Sequence, residues 1–203
     1  HKYEGKDPEL PSEEVVRPHV EALEKATWTV GEVRLGQRRR RPAAPFTTST
    51  MQQEASRQIN FGTNKTMRIA QQLYEGVDLG NEGLEGLITY MRTDSVAVSK
   101  EAQAEARAYI EEEYGREYRP QEPRQHTTKS KLAQEAHEAI RPTSVQHTPA
   151  QVKQYLSRDQ FRLYELIWNR FVASQMSNAV YDTISVDICA GQESVPITER
   201  PYL

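Results

Sequence analysis

One cysteine in 203 residues, Cys189, leaves no partner for an intramolecular disulfide and excludes a zinc site built on several cysteines. A reducing cytoplasm fits that composition. The chain also lacks any run of eighteen apolar residues, and its first six residues, His1-Lys2-Tyr3-Glu4-Gly5-Lys6, lack the apolar core of a signal peptide. A membrane span and a secretory leader are therefore not expected. Positive charge is not in excess: the formal net charge is −3, which argues against a binder that holds nucleic acid by bulk charge. Carboxylates are plentiful, but none form the Asp-x-Asp type of cluster that suits magnesium, and Glu111-Glu112-Glu113 reads as a solvated helix surface. No internal repeat or long low-complexity tract appears.

What is present is enough to fold. With 36% hydrophobic and 27% charged residues the chain can bury an ordinary core in one or two domains. Residues 27–35 read as a strand whose apolar phase shifts at Gly31, since Trp28 and Val30 share one parity and Val33 and Leu35 the other. Val180, Ile184, Val186 and Ile188 share one face of a second strand, predicted to be half-buried. Between them lie about 130 mainly helical residues with legible starts. Thr50 with Gln53 predicts a cap into 51–60, Asn64 one into 65–74, and Ser99 one into 100–114. Thr148-Pro149 with Gln151 and Ser157 with Gln160 are capping-box patterns. The latter opens a helix with Phe161, Leu163, Tyr164, Ile167, Trp168 and Phe171 on a broad apolar face.

The predicted class is therefore α+β: a β-rich segment over 1–45, a helical domain over 46–177, and a β-rich return over 178–203. Proline-rich 41–45 and the polar pair Ser177-Asn178 are the expected insertion points. The two helices 51–60 and 65–74, followed by an extended stretch at 87–91, also read as a helix-turn-helix with an appended strand. His1 is not an initiator methionine and 196–203 closes no recognisable element, so a fragment of a larger protein is expected.

The chemistry concentrates in Gly86-Leu87-Ile88-Thr89-Tyr90-Met91-Arg92-Thr93-Asp94-Ser95. In an extended segment residues i and i+2 face the same way, so the Tyr90 phenol and the Arg92 guanidinium can converge on one anionic group. A phenol with a reference pKa near 10 is only about one part in a thousand ionised at pH 7, and a fixed cation both lowers that pKa and neutralises charge on phosphorus oxygens. Arginine's planar fork can hold two such oxygens. The plainer reading is a packing tyrosine beside an Arg92–Asp94 ion pair. Arg38-Arg39-Arg40-Arg41 is a second cationic feature, read first as a solvated strand end that blocks aggregation and second as a phosphate contact.

Two further strings lie in order around it: Pro45-Phe46-Thr47-Thr48-Ser49-Thr50-Met51-Gln52-Gln53-Glu54-Ala55 and Ala133-Gln134-Glu135-Ala136-His137-Glu138-Ala139-Ile140-Arg141-Pro142-Thr143. Together the three resemble the active-site region of bacterial type IA DNA topoisomerases, and Met91 resembles the topoisomerase I branch where topoisomerase III commonly has proline. The resemblance runs more loosely over nearly the whole chain. It implies a winged-helix-like domain inserted into a β-rich arch, with Tyr90 as nucleophile and Arg92 as its catalytic partner. Thr89, Asp94, Glu135, His137 and Arg141 would be supporting or DNA-contacting residues, His137 close to the scissile phosphate. His137 and Arg141 would share a face if their segment is helical. Salt bridges that shape the site are the expected role of Glu135, Glu138 and Arg141, while Asp94 would orient Arg92 or cap the next turn. Magnesium would be held by a separate Toprim domain of the same polypeptide, and the partner would be single-stranded regions of negatively supercoiled DNA, acted on by a monomer in the bacterial cytoplasm. The competing reading is a non-catalytic winged-helix DNA-binding module.

Overall fold

The structure is a computed structural model that describes residues 11–126 and 138–191. Helices and strands are both present, in an α+β arrangement of two compact units, Arg39–Ala179 and a smaller one made from the residues before and after it.

In the smaller unit, α1 (Glu13–Glu24) precedes β1 (Trp28–Arg40), which pairs with β4 (Ala179–Ala190) in a two-stranded ribbon. β1 runs five residues past the predicted 27–35, so Arg38, Arg39 and Arg40 lie on it, exposed. Gly31 sits at a close approach: a Cβ there would lie 3.1 Å from the Cys189 sulfur and 3.3 Å from the Asp187 carbonyl oxygen. Cross-strand polar pairs, Arg34 with Asp187 at 2.9 Å and Gln37 with Asp182 at 3.0 Å, hold the ribbon's register. The predicted half-burial is corrected here. Val180, Ile184, Val186 and Ile188 are exposed, Ile184 at 69%, as are Trp28, Val30 and Leu35. Alternation sets which side chains share a face, but among the described residues no second layer covers this two-stranded ribbon.

The larger unit is built on α6 (Arg158–Gln175), against which α2 (Thr48–Ile59), α3 (Thr63–Glu75), α4 (Lys100–Tyr114) and α5 (Pro149–Val152) all pack. Leu163, Tyr164, Ile167, Trp168 and Phe171 of α6 are buried as their spacing predicts, and meet Phe46, Met51, Phe61, Leu73, Leu87, Met91 and Ile110 in one core. The α6 start is the predicted capping box, with Gln160 N–H donating to the Ser157 hydroxyl and Ser157 N–H to the Gln160 side chain. Thr148 caps α5 with the same reciprocal pair, and the expected Ser99 cap of α4 is its hydroxyl accepting Ala102 N–H.

Two starts differ. The cap of α2 is Thr47, whose N–H donates to the Thr50 hydroxyl at 2.9 Å, so Thr50 is the third helical residue and not the cap. Four consecutive hydroxyl residues could each begin that helix, and the burial of Phe46, Met51 and Ala55 selects Thr47. α3 is capped by Gly62 and not by Asn64, because Asn60 takes the left-handed conformation (φ 56°) and turns the chain at once into the next helix with Phe61 buried. After α3 comes a short antiparallel hairpin, β2 (Val77–Asp78) with β3 (Leu84–Glu85). The predicted strand at 87–91 is not a regular one: it makes a single bridge, Ile88 with Pro142.

Candidate active site

The 86–95 segment is fixed by its backbone and by buried side chains, which leaves Tyr90, Arg92 and Asp94 exposed. Leu87, Ile88 and Met91 are fully buried and act as anchors, while Tyr90 between them is 42% exposed. Gly86 makes the entry possible, since a Cβ there would lie 2.7 Å from the Tyr74 carbonyl oxygen, which no side chain tolerates. Leu87 N–H then donates to the Leu73 carbonyl at 2.8 Å, seating the segment on the last turn of α3.

Residues 139–143 hold the segment from one side. Thr89 N–H donates to the Arg141 carbonyl at 2.9 Å and Thr143 N–H to the Leu87 carbonyl at 3.0 Å. The Thr89 hydroxyl works in both directions, donating to the Ala139 carbonyl at 2.7 Å and accepting from Arg141 N–H at 3.0 Å. The same strip reaches the first motif, as Ile140 N–H donates to the Phe46 carbonyl at 2.8 Å.

Thr48 holds it from the other side. Its hydroxyl donates to the Met91 carbonyl at 2.8 Å and accepts from Thr93 N–H at 2.9 Å, while its own N–H donates to the Thr93 carbonyl at 2.8 Å. Arg92 is thus bracketed by hydrogen-bonded backbone on both sides and is itself exposed. Among the described residues neither Arg92 nor Asp94 makes a side-chain hydrogen bond or ion pair, so the Arg92–Asp94 pair of the plainer reading is not formed, and Asp94 neither orients Arg92 nor caps the turn. The cap there is the Thr93 hydroxyl, which accepts from Ser95 N–H at 3.0 Å. Among the described residues, the chemically free groups at this surface are the Tyr90 phenol, the Arg92 guanidinium two residues on, and the Asp94 carboxylate. A phenol and a cation are the group types that displacement at an anionic phosphorus centre calls for.

Arg141 is placed differently from Arg92. Its guanidinium lies 2.6 Å from Glu138 and donates to the Pro142 carbonyl at 2.9 Å, and the other Glu138 oxygen accepts Ser99 N–H at the start of α4 at 2.8 Å. This is the expected site-shaping salt bridge for Glu138 and Arg141. Residues 138–141 are not helical, so the predicted helical face shared by His137 and Arg141 does not exist on this side of His137. Glu135 and His137 themselves lie outside the described residues. The residue that sequence reasoning passed over is Thr48, quoted within a motif but given no role; its hydroxyl position at the start of a helix was the available signal.

The root of the larger unit is tied by one loop. Arg124 donates to the Met176 carbonyl at 2.9 Å and to the Asn178 side chain at 2.7 Å, Ser177 N–H donates to the Tyr118 carbonyl at 2.8 Å, and the Gln125 carbonyl accepts Arg41 at 3.4 Å. His126 Nε2 lies 3.0 Å from the Ser174 carbonyl, and burial, aided by the Arg41 and Arg124 charges, holds its pKa below the ordinary 6.5. Along α2, a shallow polar groove is lined by Ser49, Gln52, Gln53, Ser56 and Arg57 with Thr63 of α3. Among the described residues no three His, Cys, Asp or Glu side chains are grouped so as to hold a metal ion, and no helix is long and apolar enough to cross a membrane.

Comparison with known proteins gives one consistent answer. A family model described as DNA topoisomerase matches residues 2–202. Curated proteins named DNA topoisomerase 1 from two strains of Xylella fastidiosa, Temecula1 and 9a5c, are each 60% identical over 159 residues, covering 78% of this chain and 20% of theirs. The full-length topoisomerase I of Thermotoga maritima is similar in structure, with a TM-score of 0.72 and 38% identity over 93% of this chain and 31% of that one. The chain therefore spans about a fifth of the length of the curated relatives it matches.

Proposed function

Because the chain belongs to the bacterial DNA topoisomerase I family, we propose that it is the nucleophile-bearing part of a type IA enzyme that breaks and reseals one DNA strand through Tyr90. The Tyr90 phenolate oxygen attacks a backbone phosphorus, the new O–P bond forms as the bond to the 3′ oxygen breaks, and the departing 3′ hydroxyl takes up a proton. The product is a 5′-phosphotyrosine. One phosphodiester is exchanged for another at little free-energy cost, so the reverse attack by the 3′ hydroxyl reseals the strand without ATP. Passage of a second strand while the break is open relaxes negative supercoils.

Arg92 balances charge on the phosphorus oxygens as the bonds exchange, from a backbone that Thr48 and Thr89 hold in place. The residues described here do not suit magnesium; in this reading the ion is held by a Toprim domain of the same polypeptide, outside this chain, and no step above runs through it. His137, Glu135 and Asp94 are assigned to DNA contact or support, and the enzyme to a monomer. Strand passage requires the Tyr90-bearing unit to move with one DNA end, which makes 42–45 and Ser177-Asn178 the hinge positions. Cross-links across these junctions in the intact enzyme should stop relaxation, and relaxation unaffected by them would remove the hinge assignment.

The observation that carries the proposal is the meeting of residues 46–48 and 139–143 with the 86–95 segment, around one displayed tyrosine and a guanidinium with no partner among the described residues. The test is covalent capture of 3′-labelled single-stranded DNA by this chain, with and without magnesium and a supplied Toprim portion. Label on the protein after denaturation, seen only in the complemented mixture and lost with Tyr90→Phe, is expected. Tight DNA binding with no label under any condition would transfer the assignment to a non-catalytic binding module.

A further inference from the structure

A nucleophile exposed at a surface has a problem of aim. The Tyr90 ring stands outside the core, and its hydroxyl makes no hydrogen bond to a described residue. Buried neighbours fix its backbone, but its χ1 rotamers are separate wells that the backbone alone does not choose between. In-line displacement needs the oxygen within about 3–3.5 Å of phosphorus and aligned with the leaving oxygen.

One side chain addresses this. The ring of Tyr74, in the last turn of α3, lies edge-on to the Tyr90 ring, centroids 5.3 Å apart and planes at 64°. Tyr74 is itself 41% exposed, so the core does not need its bulk. Its backbone, by contrast, is firmly seated: Leu73 before it is fully buried and accepts Leu87 N–H, and the Tyr74 carbonyl packs against Gly86. The turn of helix that carries the Tyr74 ring is therefore the same turn that anchors the Tyr90 segment, so the two backbones are seated together. Its hydroxyl, like that of Tyr90, has no described hydrogen-bond partner, so the contact is made by the ring alone.

We propose that Tyr74 is a positioning residue for Tyr90, an aromatic wall that holds the nucleophile's ring in its attacking rotamer. The inference rests on the reading of Tyr90 as nucleophile. It differs from a packing role because it assigns Tyr74 an effect on the rate of strand cleavage and none on affinity for DNA or on folding.

The experiment measures single-turnover cleavage of a single-stranded oligonucleotide by the full-length protein carrying this chain, together with the oligonucleotide's dissociation constant and the urea unfolding midpoint. Tyr74→Ala should slow covalent-complex formation about ten- to a hundred-fold, the scale of a misaligned reacting group, with the dissociation constant within about twofold. Tyr74→Leu, of similar bulk and without a ring, should be slow as well and serves if the alanine variant folds poorly. Tyr74→Phe should restore the wild-type rate. Wild-type rates from both the alanine and leucine variants would overturn the proposal, as would a phenylalanine variant as slow as alanine, which would assign the effect to the hydroxyl. Tyr90→Phe is run alongside. Cleavage by that variant would overturn the nucleophile reading itself, whereas its complete loss combined with unaffected Tyr74 variants would sink the positioning role alone.

Discussion

The 86–95 segment and the middle of α6 each set a tyrosine among fully buried neighbours, yet the two rings meet opposite fates. Tyr164 is fully buried in the core that also holds Leu163, Ile167 and Trp168, its hydroxyl donates to the His147 carbonyl, and burial drives its pKa far above the ordinary 10. Such a phenol is fully enclosed and held in its neutral form by burial. Tyr90 follows Leu87 and Ile88 and precedes Met91, all buried, but the non-helical backbone sends its ring outward beside Arg92. Chemical capacity is the same at both positions, and the local backbone decides whether it becomes packing or reactivity.

Substitutions at the two sites should separate cleanly. The largest effect is expected from Tyr90→Phe in the full-length protein: no covalent complex in the capture assay, with an unfolding free energy changed by less than about 0.5 kcal/mol as for an exposed position. Tyr164→Ala should do the reverse, destabilising the larger unit by about 3–5 kcal/mol in urea titration through the lost burial and the cavity left behind. Measurable cleavage at low temperature, where that variant remains folded, would confirm that Tyr164 has no chemical part. Thr89→Val lies between them. It removes a donor to Ala139 and an acceptor for Arg141 N–H, and should cost roughly 1–3 kcal/mol while also lowering the cleavage rate; an unchanged rate would show that the Tyr90 segment is held well enough without this hydroxyl. Ser157→Ala, far from the site, should cost about 1 kcal/mol by loss of the α6 cap and leave cleavage by the folded fraction unaltered.

The smallest effect is one of pH. His126 has its pKa depressed in the folded state, chiefly by burial, with Arg41 and Arg124 adding to it and the Ser174 carbonyl opposing. The unfolded chain therefore binds a proton more readily, so this contribution is complete above about pH 6.5 and is lost as pH falls below it. The stability difference between wild type and His126→Gln, measured at pH 7.5 and 5.5, should shift in favour of the variant at the lower pH; a pH-independent difference would show that the imidazole does not titrate against folding.

Legibility followed the range of the interactions involved. Ser99, Thr148 and Ser157 could be read as caps because hydroxyl and partner lie three residues apart, within the reach of one turn. Thr47 could not be separated from its three hydroxyl neighbours by any local rule, since what selects it is the burial of Phe46, Met51 and Ala55 against distant elements. The strands β1 and β4 were readable from alternation, but not their exposure, because a strand's pattern says nothing about what covers it. Tyr90 and Arg92 were visible as a pair two residues apart; Thr48 was not visible as their support.

Composition and local spacing alone determined the residue types, the helix starts with in-range partners, the apolar stripe of α6 and the presence of a phenol beside a guanidinium. Only the tertiary structure decided that Arg92 has no partner among the described residues while Arg141 binds Glu138, that Thr48 and residues 139–143 close on the same segment from two sides, and that the Tyr74 ring stands against Tyr90. Each of these joins groups brought together across long stretches of chain. Such contacts form only when burial of a shared core has already compensated the entropy of closing the loops between them, and no property of either residue taken singly encodes that.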